Sequence, residues 1–174
     1  KANARVYAFD FAGRLQSSTP ALLGMTKGDT LKVSNETTMA QMTEHDRITP
    51  AGRYLSRLAI DSDGKELLVI DYEASISLHP VVKGTPEEHR AERLASATSQ
   101  DNRISYGCIN VPASFYTDVV SPAFTNTQGL VYILPETESA SALFGMQSPS
   151  GESMASAGGT DARAAMRSAT AAAK

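Results

Sequence analysis

The chain has 174 residues, 41% of them hydrophobic, with 16 Lys and Arg against 19 Asp and Glu and a formal net charge of −3. That length suits one domain with a sizeable core, and the composition is that of a soluble globular protein. Mild acidity without a basic block argues against nucleic acid as a partner, and no apolar run approaches the ~20 residues of a membrane span. A single cysteine excludes an intrachain disulfide framework. With only three scattered histidines beside it, no metal-ligand spacing appears, and no metal site is expected.

Strand signals dominate from the N-terminus. Residues 5–10 form a short apolar strand, and Ala12-Gly13-Arg14 reads as the turn into a second strand near 15–18. Gly28-Asp29 leads into a strand over 30–34. Residues 53–60 and 66–71 flank Asp61-Ser62-Asp63-Gly64, a turn-rich segment that reads as a hairpin. Apolar and small polar residues alternate over 74–79, a strand that Pro80 ends.

Thr85-Pro86-Glu87-Glu88 is a capping-box signature with proline at the first helical position. The helix is expected to run to about Ala97, with Ala91, Leu94 and Ala95 on one face and His89, Arg90, Glu92 and Arg93 mostly toward water. A polar loop follows over 98–102. Pro112 starts a short helix over 113–120, whose Phe115, Tyr116 and Val119 are expected in the core. Residues 130–134 read as a last buried strand. Many short strands at near-regular spacing favour a mostly β sandwich or barrel-like sheet with a few short helices.

From about Glu136 the composition shifts to Ala, Ser, Gly and Met. Too few large apolar groups remain to offset ordering entropy. The expected organisation is therefore one domain over 1–136 and a low-complexity, disordered tail over 137–174, with a weak alanine-rich helix over 161–174.

The lone cysteine lies in Ser105-Tyr106-Gly107-Cys108-Ile109-Asn110-Val111-Pro112. Gly107 permits a sharp turn and close backbone approach, and Ile109 and Val111 carry the segment into a core. The pattern is either a thiol on a rigid turn beside free N–H groups or a small buried hydrophobe. A cysteine nucleophile needs a base. His79 sits at a strand tip beside a loop; His45 and His89 lie in polar, charged stretches and read as surface residues. Arg103, two residues before Ser105, is placed either to bind a substrate carboxylate or to pair with an acid such as Asp101.

The ordered set of His79 and then Ser105-Tyr106-Gly107-Cys108-Ile109-Asn110 resembles the L,D-transpeptidases, the YkuD-type cysteine enzymes of the bacterial cell wall. Their hallmark is a histidine followed at a distance by Ser/Thr-His-Gly-Cys, an apolar residue, and Asn or Arg. Thr49-Pro50-Ala51-Gly52-Arg53-Tyr54 matches a weaker family feature, a Thr-Pro-x-Gly-x-aromatic turn. The resemblance covers about residues 4 to 136. Tyr106 stands where the family usually has histidine, and the interval from histidine to cysteine is longer than usual. The longer interval implies an inserted element over the site, either a lid or a plain surface helix.

The resemblance implies a mostly β catalytic domain, with Cys108 as nucleophile and His79 as base. A backbone carbonyl near His79, that of Pro80, is expected to orient the ring. N–H groups of Gly107 and Cys108, with Tyr106, are expected to hold the oxyanion. Tyr106, Arg103, Ser105 and Asn110 are the candidate substrate-binding residues, with Ser105 and Asn110 alternatively bracing the loop. The implied substrate is a peptidoglycan stem tetrapeptide, cleaved after its third residue with release of D-alanine. No cofactor is implied, and the chain is expected to act as a monomer. Transfer to another stem's amine, hydrolysis by an L,D-carboxypeptidase, and a non-catalytic wall-binding module all remain open. The chain begins at Lys1 rather than methionine, which reads as a processed form. The family's substrate implies a periplasmic or cell-envelope location.

Overall fold

The computed structural model describes residues 1–32, 37–38 and 40–145. It is mostly β with a few short helices, built on a curled half-barrel sheet. The strands are β1 (Arg5–Phe9), β2 (Leu15–Pro20), β3 (Leu23–Gly24), β4 (Gly52–Ile60), β5 (Glu66–Asp71), β6 (Ile76–Pro80), β7 (Arg103–Ser105), β8 (Ile109–Val111) and β9 (Gly129–Ile133). The principal sheet has the order β8-β6-β5-β4-β9, while β1 pairs with β2 and β3 with β7.

Two hairpins form where carboxylates can satisfy turn amides. Asp10 accepts the N–H groups of Ala12 and Arg14 at 2.9 Å each, closing β1 onto β2. Asp61 accepts those of Asp63 and Lys65 at 2.9 and 2.8 Å, closing β4 onto β5. Strand β4 serves two neighbours with different halves. Gly52 to Ser56 pair with β9, and Arg57 to Ile60 pair with β5. That stagger, added to ordinary strand twist, curls the sheet. Its concave side holds a core of Leu68, Ile70, Ile76, Leu78, Ile109, Val111 and Ile133 with Ala21 and Leu23.

One pairing in the principal sheet is parallel, that of β6 with β8. A parallel neighbour requires a long crossover. Residues 81–108 supply it, carrying a 3-10 turn (Pro86–Glu88), helix α1 (Arg90–Ala95) and strand β7. After β8 the chain packs a helical stretch behind the sheet: α2 (Ala113–Phe115), a π-turn (Tyr116–Val120) and α3 (Ser121–Phe124). Phe115, Tyr116 and Val120 enter the core.

Three expectations change. Residues 30–32 form no strand, and Val33 and Ser34 lie outside the described residues. The helix expected over 85–97 is two pieces, because His89 takes a left-handed conformation (φ 46°) and resets the helical phase. Of the residues expected on its inner face, only Leu94 is buried, and Arg90 turns inward as well. The tail boundary also moves. Thr137 and Glu138 are clasped by Asp29, and α4 (Ala140–Phe144) follows, with Phe144 edge-on to Tyr132 at 5.6 Å between centroids. The ordering comes from polar contacts and one aromatic, which composition does not register. The remainder of the expected tail, with its 161–174 helix, lies outside the described residues.

That clasp belongs to a buried ionic cluster. The Lys1 ammonium lies 2.7 Å from Asp29 and 3.7 Å from Glu136, and Glu136 takes both terminal nitrogens of Arg103. Asp29 accepts the N–H groups of Glu136, Thr137 and Glu138 and the Thr137 hydroxyl. Among the described residues no helix is long and apolar enough to cross a membrane.

Candidate active site

The site follows from the register of β6 against β8. Leu78 lies opposite Ile109, and His79 opposite Asn110. Side chains alternate along strands, so Leu78 and Ile109 enter the core while Ser77 and His79 share the other face. Cys108 precedes Asn110 by two and continues the same alternation. The thiol and the imidazole, 29 positions apart in the chain, thus share one face of a two-strand junction.

The loop before Cys108 is over-determined. Gly107 has φ +139°, and a Cβ there would lie 2.8 Å from the Ile76 side chain and 2.9 Å from the Ile48 carbonyl oxygen. No other residue type fits. The fully buried Thr49 hydroxyl donates to the Gly107 carbonyl at 2.8 Å and accepts the Gly24 N–H at 2.8 Å. The Thr-Pro-x-Gly turn is therefore a brace for the cysteine loop. The Ser105 hydroxyl donates to the Cys108 carbonyl at 2.6 Å and accepts the Gly107 N–H at 3.1 Å. This corrects one expectation: the Gly107 N–H is used inside the loop, so Gly107 shapes the turn and does not donate to an oxyanion.

The Cys108 sulfur lies 3.5 Å from the Ser77 hydroxyl and 3.8 Å from the Ser75 carbonyl. Burial pushes the thiol's pKa up, but His79, then the Ser77 hydroxyl and N–H, favour the thiolate more strongly and hold it below the ordinary thiol value. For His79, burial disfavours the charged ring. The Cys108 thiolate and the Pro80 carbonyl prevail over burial and over the nearby Arg90 charge, and the imidazole sits above its ordinary value. The two shifts run in opposite directions, each group favouring the other's charged form.

Both ring nitrogens of His79 have neighbours. Nδ1 is 2.8 Å from the Pro80 carbonyl oxygen, and Nε2 is 3.2 Å from the Asn110 amide nitrogen. The Asn110 oxygen accepts from Arg90 Nη1 at 2.8 Å, and Arg90 Nε donates to Glu88 at 2.7 Å. Sequence reasoning missed Ser77 and Arg90. Strand alternation places Ser77 beside His79 and was a usable signal; nothing local pointed Arg90 inward.

Of the four residues expected at a substrate, three are buried and occupied. Arg103 is 6% exposed and spends its guanidinium on Glu136 and the Gly24 carbonyl. It is a structural ion pair, though with Glu136 rather than Asp101, because β7 runs beside β3 and away from the solvent. Ser105 and Asn110 are 4% and 1% exposed and serve the loop and the ring. Tyr106 alone stays partly exposed, with the Arg47 guanidinium stacked on its ring 4.0 Å from the centroid. His45 and His89 are exposed, as expected of surface residues. No group of three or more His, Cys, Asp or Glu among the described residues is arranged to hold a metal ion. Comparison of the chain with protein-family models, curated proteins and solved structures returned no match.

Proposed function

We propose that this protein is a cysteine acyltransferase acting on peptidoglycan stem peptides, an L,D-transpeptidase in chemistry. The observation that carries the reading is the placement of the half-buried Cys108 and His79 on one face of the β6/β8 junction, with Ser77 beside the sulfur. The thiolate attacks the carbonyl of the third stem residue, and a tetrahedral intermediate forms. Collapse breaks the peptide bond as the His79 imidazolium gives its proton to the departing D-alanine nitrogen. The thioester then passes to an amine of a second stem, with His79 accepting that amine's proton. The oxyanion is held by the N–H groups of Cys108 and Tyr106.

The substrate's carboxylates need a cation, and Arg103 is taken. Arg47 fills that role in this reading: it is packed on Tyr106, two residues from the nucleophile, and joins no ion pair among the described residues. The enzyme acts as a monomer, without a cofactor, in the periplasm or cell envelope. Incubation with a disaccharide tetrapeptide followed by mass analysis of protein and products tests the reading. A cross-linked dimer and a thioester-bearing chain are expected. Tripeptide alone makes the protein a hydrolase on the same mechanism, and bound but unaltered substrate makes it a wall-binding module. Full activity in Cys108→Ala removes the mechanism.

A further inference from the structure

We propose that Arg90, carried by the segment between base and nucleophile, is a positioning residue: through the Asn110 amide it fixes which nitrogen of His79 holds the proton. This rests on the Cys108–His79 reading above and deepens it.

The two ends of an asparagine amide are nearly alike in shape, so their partners decide which way it faces. Arginine has donors only. Arg90 Nη1 at 2.8 Å therefore faces the Asn110 oxygen, and the amide NH2 is left for His79 Nε2 at 3.2 Å. An NH2 group donates, so Nε2 must present its lone pair. On the ring's other side the Pro80 carbonyl can only accept, so Nδ1 carries the hydrogen at 2.8 Å. Asn110 is 1% exposed, and no bulk water reaches it to repair a wrong orientation.

The segment is built to deliver that guanidinium. Glu88 holds Arg90 through Nε at 2.7 Å and Nη2 at 3.3 Å, and the Thr85 N–H donates to Glu88 at 3.2 Å. Gly84 makes room: its φ is +61°, and a Cβ there would lie 1.9 Å from the Glu88 carboxylate. The left-handed His89 then turns the next residue, Arg90, toward the sheet. The charged or titratable groups around the ring are the Cys108 thiol from the loop and Arg90 from the segment, with Glu88 behind Arg90; β6 and β8 contribute the neutral Ser77 and Asn110. A proton on Nε2 meets amide hydrogens and, behind them, a positive charge. Arg90 thus restrains the base from staying protonated. Without it the amide is free to turn and offer its oxygen to Nε2–H.

Nitrogen-15 NMR of the histidine rings in the full chain, followed across pH, reads this directly. The neutral wild-type His79 is expected as the Nδ1–H tautomer. In Arg90→Ala the His79 midpoint should move upward and the neutral ring should lose its single-tautomer signature. Arg90→Gln, which keeps a donor for the Asn110 oxygen, should retain the tautomer. Asn110→Asp, which offers only acceptors, should also raise the midpoint. A plain packing role for Arg90 leaves the single-tautomer signature of the neutral ring intact in Arg90→Ala, whatever the midpoint does. An unchanged single-tautomer signature in Arg90→Ala, or in Asn110→Asp should the first variant not fold, overturns the proposal. If the titrations respond but stem peptides are left unaltered, this inference stands and acyl transfer falls. If His79→Ala leaves the pH dependence of Cys108 alkylation unchanged, the pairing beneath both falls, and this inference with it.

Discussion

Under the proposed acyl transfer, the neighbour that favours the Cys108 thiolate, His79, also has to give a proton back. The Cys108 pKa is lowered, chiefly by His79 against the opposing effect of burial, so thiolate is present below the ordinary thiol range. Replacing His79 with Ala removes that support, and the pH at which iodoacetamide alkylates Cys108 at half its maximal rate should move upward. Turnover has a second limb. The His79 pKa is raised, so the imidazolium that the proposed transfer would offer to a leaving amine persists above the ordinary histidine range and is lost as pH climbs further. Activity should therefore rise through the thiol ionisation and fall through that of the ring, and the falling limb should vanish in His79→Ala. Gly107→Ala is the sharpest test of the loop. Its Cβ would meet the Ile48 carbonyl, and displacement of the thiol by ~1 Å should cost roughly 100-fold in rate while the fold survives. The strand-tip position of His79 and the tight turn at Gly107-Cys108 were legible in the sequence from local context, whereas the expected place of the Gly107 N–H at an oxyanion was not met, because Ser105 takes that N–H. Ser105 and Asn110 were legible as important positions but not as buried braces. Arg90 was expected toward water and Arg103 stood between two roles, since a guanidinium's direction depends on a partner far along the chain: Asn110 for Arg90, Glu136 for Arg103.

Elements carry that lesson further. Strands β4, β5, β6 and β9 are long enough to show their alternation, and both hairpins announce themselves through Asp and Gly. Strands β3, β7 and β8 have two or three residues each, too short for a period, and exist only because the crossover brings them together. The break at His89 was equally invisible, because a capping box and an alanine-rich follow-on argue for one helix. What ties these short pieces together is Thr49, with its hydroxyl between the Gly24 amide and the Gly107 carbonyl. Thr49→Val keeps the shape and orphans both groups in a buried site, and should destabilise the protein by about 1–3 kcal/mol. Chemical denaturation measures that loss, and Thr49→Ser should recover most of it.

On the scale of the whole molecule, the ionic cluster of Lys1, Asp29, Arg103 and Glu136 joins segments from both ends of the described chain. Glu136→Ala leaves the Arg103 charge buried without a partner and should cost about 3–5 kcal/mol in denaturant unfolding. The cluster also sets a pH limit. Burial opposes ionisation of Asp29, but Lys1, the Thr137 hydroxyl and the backbone N–H groups of Glu136 and Thr137 outweigh it and hold the carboxyl far below the usual range. A depressed carboxyl contributes stability that is full above its unfolded pKa and is lost as pH falls toward its folded one. Asp29→Asn should therefore flatten the acid limb of the stability curve, with little further change in its slope near neutrality. The parallel return from β6 to β8 has a different consequence. An incompletely folded copy has not yet closed the crossover, so its sulfur is an ordinary, sluggish thiol. If Cys108 is the nucleophile proposed above, chemical danger to bystander molecules arrives only with the finished architecture, and disappears with it on denaturation.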